Sequence, residues 1–283
     1  MAVGTAQLLA AGVPRAEVDA ELLIGFVVGE SRGTVQAGAA TGRFISDEQA
    51  ARIRTLFDRR ASREPLQHIT GCAPFRHLEL LVGPGVFVPR PETEGVTQIA
   101  LDEIRDREND READTQMRVV DLCTGSGAIA LAIAQEAPTA TVWGVEKSEA
   151  AFSWADKNMS ALGLDNVTLV LDDAADALPE LNDTVSLVIS NPPYIPRASV
   201  PRDPEVELFD PEIALYGGED GLDVVRDVCA TAARLLTAGG LVVVEHGESQ
   251  AAQIQKLLDA QGFREVRSHQ DFTNRDRATT ARK

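Results

Sequence analysis

Val119-Val120-Asp121-Leu122-Cys123-Thr124-Gly125-Ser126-Gly127-Ala128-Ile129-Ala130 reads as a buried strand, a glycine turn and the start of an apolar helix that runs to about Ala137. Gly125 and Gly127 let the backbone approach a ligand closely, and the helix start supplies free N–H groups and a positive dipole end. Roughly twenty residues further on, a second strand, Thr141 to Val145, ends in Glu146, whose two oxygens can take two ribose hydroxyls. A third strand, Val167 to Leu171, ends in Asp172-Asp173. Asp173 is placed to receive an adenine amino group; Asp172 reads more simply as a cap or loop charge. Strands alternating with helices predict an α/β fold with a mostly parallel sheet.

The glycine spacing also fits Gly-x-Gly-x-x-Ala, the dinucleotide fingerprint, with Glu146 at the distance of its ribose-binding acid. A nicotinamide oxidoreductase is therefore one reading of this half of the chain. Against it stands Asp121, which precedes the glycines and suits an amino-acid ammonium. A second obstacle is Asn191-Pro192-Pro193-Tyr194, which follows the apolar strand Val185 to Ile189. A dehydrogenase has no use for that tetrapeptide. An amide or adenine amino nitrogen is planar and barely basic, because its lone pair is delocalised. Two acceptors holding both N–H bonds can turn that lone pair toward an electrophile. The Asn191 side-chain oxygen and the Pro192 carbonyl are suitable acceptors, consecutive prolines stiffen both, and Tyr194 offers a flat face. The bland alternative is a proline-rich turn leaving a strand.

Together the glycine loop, the acidic strand ends and Asn191-Pro192-Pro193-Tyr194 resemble the Rossmann-like S-adenosylmethionine-dependent methyltransferases that act on amino groups. Three further segments are similar to one branch, the protein-(glutamine-N5) methyltransferases of peptide chain release factors (the HemK/PrmC family). They are Glu64-Pro65-Leu66-Gln67-His68-Ile69-Thr70-Gly71, Phe87-Val88-Pro89-Arg90-Pro91-Glu92-Thr93-Glu94, and Asp210 to Leu215 with Gly217 to Leu222. The resemblance implies a seven-stranded, mostly parallel sheet with helices on both faces, behind a small helical domain and a β-hairpin linker. It further implies that Asp121, Cys123, Thr124, Gly125, Ser126, Gly127, Glu146, Asp173, Ala174 and Asn191 hold S-adenosyl-L-methionine. Asn191, Pro192, Pro193 and Tyr194 would shape the acceptor slot, with Phe87 beside it, its face attracting the sulfonium. The implied acceptor is the glutamine of a Gly-Gly-Gln loop in class I release factors. One position departs from the family, which usually has glycine where this chain has Cys123. An extended backbone there would preserve the turn, whereas a positive φ would strain it.

Composition fits an enzyme of a reducing compartment, with the cytoplasm as the default. Three scattered cysteines, Cys72, Cys123 and Cys229, form no metal spacing and leave an odd thiol. No basic leader and no membrane-length apolar run is present. At a net charge of -17 the chain lacks the basic footprint of a duplex-binding protein and suits a basic protein partner. No stable nucleic-acid binding is expected, and a monomer is. A DNA or RNA adenine methyltransferase nonetheless shares the Asn-Pro-Pro-Tyr chemistry, and a non-catalytic scaffold would share the fold.

Three regions follow: 1–72 helical and substrate-docking, 73–90 a hairpin linker, and 91–283 the methyltransferase domain. In the first, Val18, Leu22, Leu23 and Phe26 mark one helical face, and Ser46 with Gln49 form a capping box ahead of Ile53, Leu56 and Phe57. Arg59-Arg60 with Arg63 reads as a solvated helix face. Two short strands are expected around Gly83-Pro84-Gly85, a helix from Pro91 to about Arg105, and a solvated loop from Asp106 to Thr115. Ile195 to Glu219 should be an extended loop over the site. Gly239-Gly240 should end a helix ahead of a strand Leu241 to Val244, with two antiparallel strands beyond Phe263. His246 reads as a packed or capping residue.

Overall fold

The computed structural model describes residues 1–109 and 116–283. The chain forms two compact units, Met1–Cys72 with Pro201–Asp210, and Ala73–Val200 with Pro211–Lys283.

The first unit consists of α1 (Ala2–Ala10), α2 (Ala16–Val28), α3 (Arg32–Ala40), α4 (Asp47–Ala61) and α5 (Leu66–Thr70). The capping box is present: Gln49 N–H donates to Ser46 Oγ at 3.1 Å and Ser46 N–H to Gln49 Oε1 at 3.0 Å. Ile53, Leu56 and Phe57 then pack with Leu8, Val13, Ala16, Ala20 and Leu23. The face expected on α2 is rotated, since Leu22 and Phe26 are exposed and only Leu23 of the proposed stripe joins the core. The reason is a face of alanines interleaved with buried acids. Asp19 accepts from Arg60, and Glu21 from Arg32 and Gln36. Counting large apolar residues misses both.

The arginine group is likewise not a solvated face. Arg60 is buried and its Nε donates to Asp19 Oδ2 at 2.8 Å, while its Nη2 reaches Glu205 Oε1 at 2.8 Å. Arg63 Nη2 holds the other Glu205 oxygen at 2.5 Å. Burial pushes the Glu205 carboxyl up, but the bonds from Arg63 and Arg60 outweigh it and leave it below its ordinary value. Glu205 lies in a short helix, Pro204–Phe209, within the stretch expected to be an extended loop, and it fastens that stretch to α4.

From the last residue of the first unit onward, β1 (Cys72–Phe75) and β2 (Leu78–Leu81) form a two-stranded hairpin that opens the second unit. It turns at Arg76-His77, with Arg76 at φ 51°, and not around Gly83–Gly85. Gly83 serves packing instead, since a Cβ there would lie 2.6 Å from the Trp154 ring. Then come α6 (Pro91–Asn109), β3 (Arg118–Leu122), α7 (Ala128–Glu136), β4 (Thr141–Glu146), α8 (Glu149–Leu162), β5 (Val167–Leu171) and β6 (Val185–Ser190). After them follow α9 (Asp223–Leu235), β7 (Leu236–Glu245), α10 (Ala251–Ala260), β8 (Arg264–Gln270) and β9 (Asp276–Arg282). Helix α6 continues past Arg105, so Asp106 to Asn109 are helical; the remainder of the expected charged loop lies outside the described residues.

The seven-stranded sheet runs β5-β4-β3-β6-β7-β9-β8, parallel from β5 to β7 and antiparallel at β9 and β8. Alternate residues of each strand face opposite ways. Val119, Val142, Leu187 and Val243 therefore pack with α6 and α7, while Val120, Val145, Val188 and Val244 pack with α9 and α10. Strand β7 begins at Leu236, directly after the helix, and Gly239 takes φ 76° where the β6–β7 register shifts. The glycine pair thus sits within the strand and does not end the helix. The chain leaves β3 toward β4 and β5 on one side, then returns to β6 and β7 on the other. That reversal opens a crevice at the carboxyl ends of β3 and β6.

Replacing Glu205 by Gln should destabilise the helical unit by about 2–3 kcal/mol, because the buried Arg60 and the partly buried Arg63 would lose a shared counter-charge. Urea unfolding checks the loss, and proteolysis should show cleavage within 201–210 that the unaltered protein resists.

Candidate functional site

Strand register gathers the candidate residues. Leu122 pairs with Val145 on one side and Ser190 on the other, and Glu146 pairs with Leu171. The glycine loop, Glu146, Asp173 and Asn191 consequently follow four neighbouring strand ends. All belong to the second unit, as does Phe87.

The loop is braced from beneath. Asp121 is fully buried, and its Oδ2 accepts from the Thr124 hydroxyl at 2.5 Å and from Ala130 N–H at 3.1 Å. Thr124 N–H donates to the Val145 carbonyl at 2.9 Å, and Asn158 Nδ2 donates to the Ser126 carbonyl at 2.9 Å. Asp121 thus ties the strand end to the first turn of α7. Its Oδ1 has no hydrogen-bond partner. Burial raises its carboxyl to about 7, against the pull of the Thr124 and Ala130 bonds.

Gly125 and Gly127 adopt φ 60° and 84°, as the turn requires. Cys123 takes φ 64°, so the position that the family usually gives to glycine holds a left-handed cysteine here. That conformation costs roughly 1 kcal/mol, and the turn forms despite it. Burial, with the charges of Glu146 and Asp121, pushes the Cys123 thiol well above its ordinary value, which keeps it un-ionised and a poor nucleophile.

Glu146 is half-buried. Its Oε2 accepts from Gly125 N–H at 2.8 Å and its Oε1 from Ser148 N–H at 2.7 Å, which leaves lone pairs on both oxygens for a vicinal diol. Asp173 Oδ1 accepts from Ala175 N–H at 3.1 Å and Oδ2 pairs with Lys147 Nζ at 2.5 Å, which holds its carboxyl below the ordinary value. Ala174 beside it is buried. Asp172 accepts from Asp173 N–H at 2.8 Å, a loop cap as expected. Beside Gly125 a Cβ would meet nothing within 4 Å. An open backbone cradle, a diol-matching carboxylate and a buried unpartnered carboxylate oxygen fit a nucleoside carrying an amino-acid head, as S-adenosyl-L-methionine does.

On the other side of the crevice Ser190 Oγ donates to the Leu122 carbonyl at 2.6 Å, so Asn191 starts from a fixed point. Asn191 Nδ2 donates to Thr93 Oγ1 at 3.2 Å, which turns the side-chain carbonyl to the opposite edge of the amide. Pro192 and Pro193 are buried, and every described peptide bond is trans. Gln250 Nε2 donates to the Tyr194 carbonyl at 2.9 Å, and Ile195 exchanges backbone bonds with Leu215 and Gly217. Gly217 is required there, since a Cβ would lie 2.5 Å from the Pro193 carbonyl oxygen. Burial and the Glu245 charge drive the Tyr194 phenol well above its ordinary range. Phe87 is half-buried, and the cation over its ring is Arg90, 5.0 Å from the centroid. His246 is fully buried with both ring nitrogens engaged, by the Gly247 carbonyl and Thr279 Oγ1 at 2.9 Å each.

Sequence reading missed Thr93, Asn158, Lys147 and Glu245. Thr93 lay inside a quoted motif but without a role. Lys147 directly follows Glu146 but its pairing with Asp173 spans 26 residues, and Asn158 and Glu245 come from distant parts of the chain without a local pattern. Among the described residues no cluster could hold a metal ion, and no helix is long and apolar enough to cross a membrane.

Comparison with known proteins adds the following. Residues 1–71 match the family described as PrmC N-terminal domain, and residues 113–278 the family described as Methyltransferase domain. The chain is 46% identical over 286 residues to a release factor glutamine methyltransferase of Streptomyces coelicolor, covering 100% of this chain and 96% of that one. It is also 44% identical over 204 residues to the 4-amino-L-phenylalanine/4-methylamino-L-phenylalanine methyltransferase of Streptomyces pristinaespiralis, covering 72% of this chain and 68% of that one. Among solved structures, the T. thermophilus 16S rRNA N2 G1207 methyltransferase in complex with AdoMet and guanosine superposes with TM-score 0.52 at 22% identity, over 75% of this chain and 49% of that chain, and so shares the fold.

Asp121 holds its proton more tightly folded, at about 7, than at its ordinary value of 3.8. The folded state therefore binds more protons between those limits, and stability falls as pH rises through that window. Asp121→Asn should flatten the decline of Tm between about pH 4 and pH 7 in the cofactor-free protein, as measured by calorimetry. An unchanged slope would mean that Asp121 titrates alike in both states.

Proposed function

This chain belongs to the release factor glutamine methyltransferase family, and from that premise we propose that it methylates the side-chain nitrogen of the glutamine in the Gly-Gly-Gln segment of class I release factors. The observation that carries this reading is the Asn191 amide, held through Nδ2 on Thr93 so that its carbonyl oxygen is left for an acceptor, next to the Pro192 carbonyl. S-adenosyl-L-methionine, when bound, supplies an electrophilic methyl group. Gly125, Gly127, Glu146, Asp173 and Ala174 would hold it, with Cys123, Thr124 and Ser126 shaping the loop and Asp121 bracing it.

Asn191 and Pro192 each accept one N–H of the glutamine amide and so aim the nitrogen lone pair along the transfer line. Pro193 and Tyr194 form the slot, and Phe87 borders it. His246 is occupied by its own hydrogen bonds, so the extra proton passes to water. Positioning and fixed dipoles supply the acceleration. Membership of this family displaces the nicotinamide reading of the glycine loop and the adenine reading of the tetrapeptide. The helical region 1–72 serves to dock the protein substrate, and an acidic chain of net charge -17 suits a basic one. We further propose that the enzyme serves translation termination in the cytoplasm, as a monomer with no stable hold on nucleic acid or membrane. One second reading has a specific basis: the relative named for 4-amino-L-phenylalanine favours a small aromatic amine as acceptor.

Labelled methyl from S-adenosyl-L-methionine should appear on purified release factor, vanish when Gly-Gly-Gln becomes Gly-Gly-Ala, and be absent from DNA. Label on 4-amino-L-phenylalanine alone would support the aromatic amine reading. Asn191→Ala should lower kcat roughly a hundredfold while changing cofactor Kd little, because one of two amide acceptors is lost. Equal losses in both would place Asn191 on the cofactor.

A further inference from the structure

Strand β9 runs antiparallel to β7, and β8 antiparallel to β9, so the carboxyl end of β8 lies at the same edge of the sheet as the crevice. The turn 271–275 that follows β8 therefore stands on that edge, and just beyond it His246 N–H donates to the Arg277 carbonyl at 2.9 Å. One side chain locks the turn. Asp271 Oδ1 accepts from Thr273 N–H at 2.8 Å, from the Thr273 hydroxyl at 2.5 Å and from Arg275 N–H at 3.3 Å. Its Oδ2 accepts from Arg277 Nε at 3.3 Å and Nη2 at 3.2 Å, and across the turn Asp271 N–H donates to the Arg275 carbonyl at 2.9 Å. At the tip stands Phe272, 97% exposed.

A phenyl ring left in water forgoes the burial that would stabilise it, and a turn tied by these bonds holds the ring out. Among the described residues of the second unit, the exposed large apolar side chains are Leu81, Leu171, Val200, Ile213 and Phe272. Leu81 lies in β2; the other four lie at the carboxyl end of β5, in the segment after β6 and in the turn after β8. Single exposed apolar residues are ordinary, but these follow strand ends that all face the crevice edge. The Phe272 turn is also braced toward the acceptor wall. Arg275 Nε pairs with Glu248 Oε2 at 3.4 Å, Gly247 N–H donates to Gln250 Oε1 at 2.9 Å, and Gln250 holds the Tyr194 carbonyl.

A glutamine in the slot arrives as part of a protein, so that protein must cover the surface around Asn191. Interfaces of ordinary size cover about 800 Å² per partner, a patch of roughly 16 Å radius. Neighbouring strands are about 4.8 Å apart, which puts β9 about 10 Å and β8 about 14 Å along the sheet from β6, whose end carries Asn191. The turn falls within that patch. An aromatic ring on a rigid support loses little freedom when it is covered, which suits it to anchor such a contact. We propose that Phe272 is a docking residue for the protein substrate, seating its ring in an apolar recess beside the segment that carries the acceptor glutamine; this rests on the acceptor reading proposed above. The ring stays clear of the reacting atoms. It adds affinity for the intact protein and none for the cofactor, and a small aromatic amine is too short to span from the slot to the turn.

The test measures methyl transfer to full-length release factor by the unaltered enzyme, Phe272→Ala and Phe272→Leu. In Phe272→Ala the KM for release factor should rise about tenfold, with kcat at saturation and cofactor Kd unchanged. Phe272→Leu keeps an apolar anchor and should recover most of that loss. Both variants should melt with the unaltered protein, because a ring this exposed supports little of the fold. A KM in Phe272→Ala within about twofold of the original would overturn the proposal, as would a fall in kcat at unchanged KM. So would a dimer of the unaltered enzyme in sedimentation that Phe272→Ala dissociates, since a second copy of the chain would then be what covers the ring. If the unaltered enzyme leaves release factor unlabelled, the acceptor reading itself fails and the docking role with it; label on release factor with an unchanged KM in Phe272→Ala removes the docking role alone.

Discussion

Asp121 Oδ2 binds three pieces of the second unit at once: the end of β3 that carries it, the loop through the Thr124 hydroxyl, and the first turn of α7 through Ala130 N–H. The glycine turn can therefore be open toward the crevice and still rigid. Its backbone groups stay near a ligand position because a buried carboxylate, not the ligand, holds them. The same carboxylate is costly to ionise at full burial, as its rise to about 7 shows, and that cost is the counterpart of a loop arranged before anything binds.

The other wall of the crevice is held by side chains remote in sequence. Thr93 holds the Asn191 amide, while Gln250, Leu215 and Gly217 hold the backbone that follows. Both walls rest on parallel strands in register, so a carboxylate at one strand end stands opposite the functional group at the next. The antiparallel strands β8 and β9 lie farther along the sheet, and β9 contributes Arg277, which bonds the His246 carbonyl and the Asp271 carboxylate. In the helical unit, buried charge performs a different task. Asp19, Arg60, Glu205 and Arg63 fasten a stretch of chain that returns from the far side of the sequence. A net charge of -17 thus conceals a minority of arginines that are structural.

Much of this was legible in the residues. The strand, turn and helix around Gly125 and Gly127 were readable because glycine at positive φ and an apolar run are local signals. Glu146 and Asp173 were readable because acids at strand ends face a crevice in such folds, and Ser46 with Gln49 because a capping box is contained in four residues. The face of α2, the hairpin turn at Arg76-His77, the placement of Gly239 within β7 and the fate of Arg60 were not. Each depends on a partner remote in sequence. Alanines and paired acids make a buried face that hydropathy ranks as surface, and a glycine pair reads alike whether it ends a helix or bends a strand.

Local chemistry therefore specified the elements, the order of the motifs and the residue types that could hold a nucleoside or an amide, because propensity, glycine conformation and proline stiffness act within a few residues. Strand order and register settled which of those residues stand together. They also settled that the Asn191 amide meets Thr93, that Cys123 takes the left-handed conformation, and that Asp121 braces the loop from a fully buried position. The physical reason is range: a hydrogen bond between Thr93 and Asn191, or an ion pair between Arg60 and Glu205, exists only once the fold has brought distant segments within 4 Å, and no spacing along the chain encodes that distance.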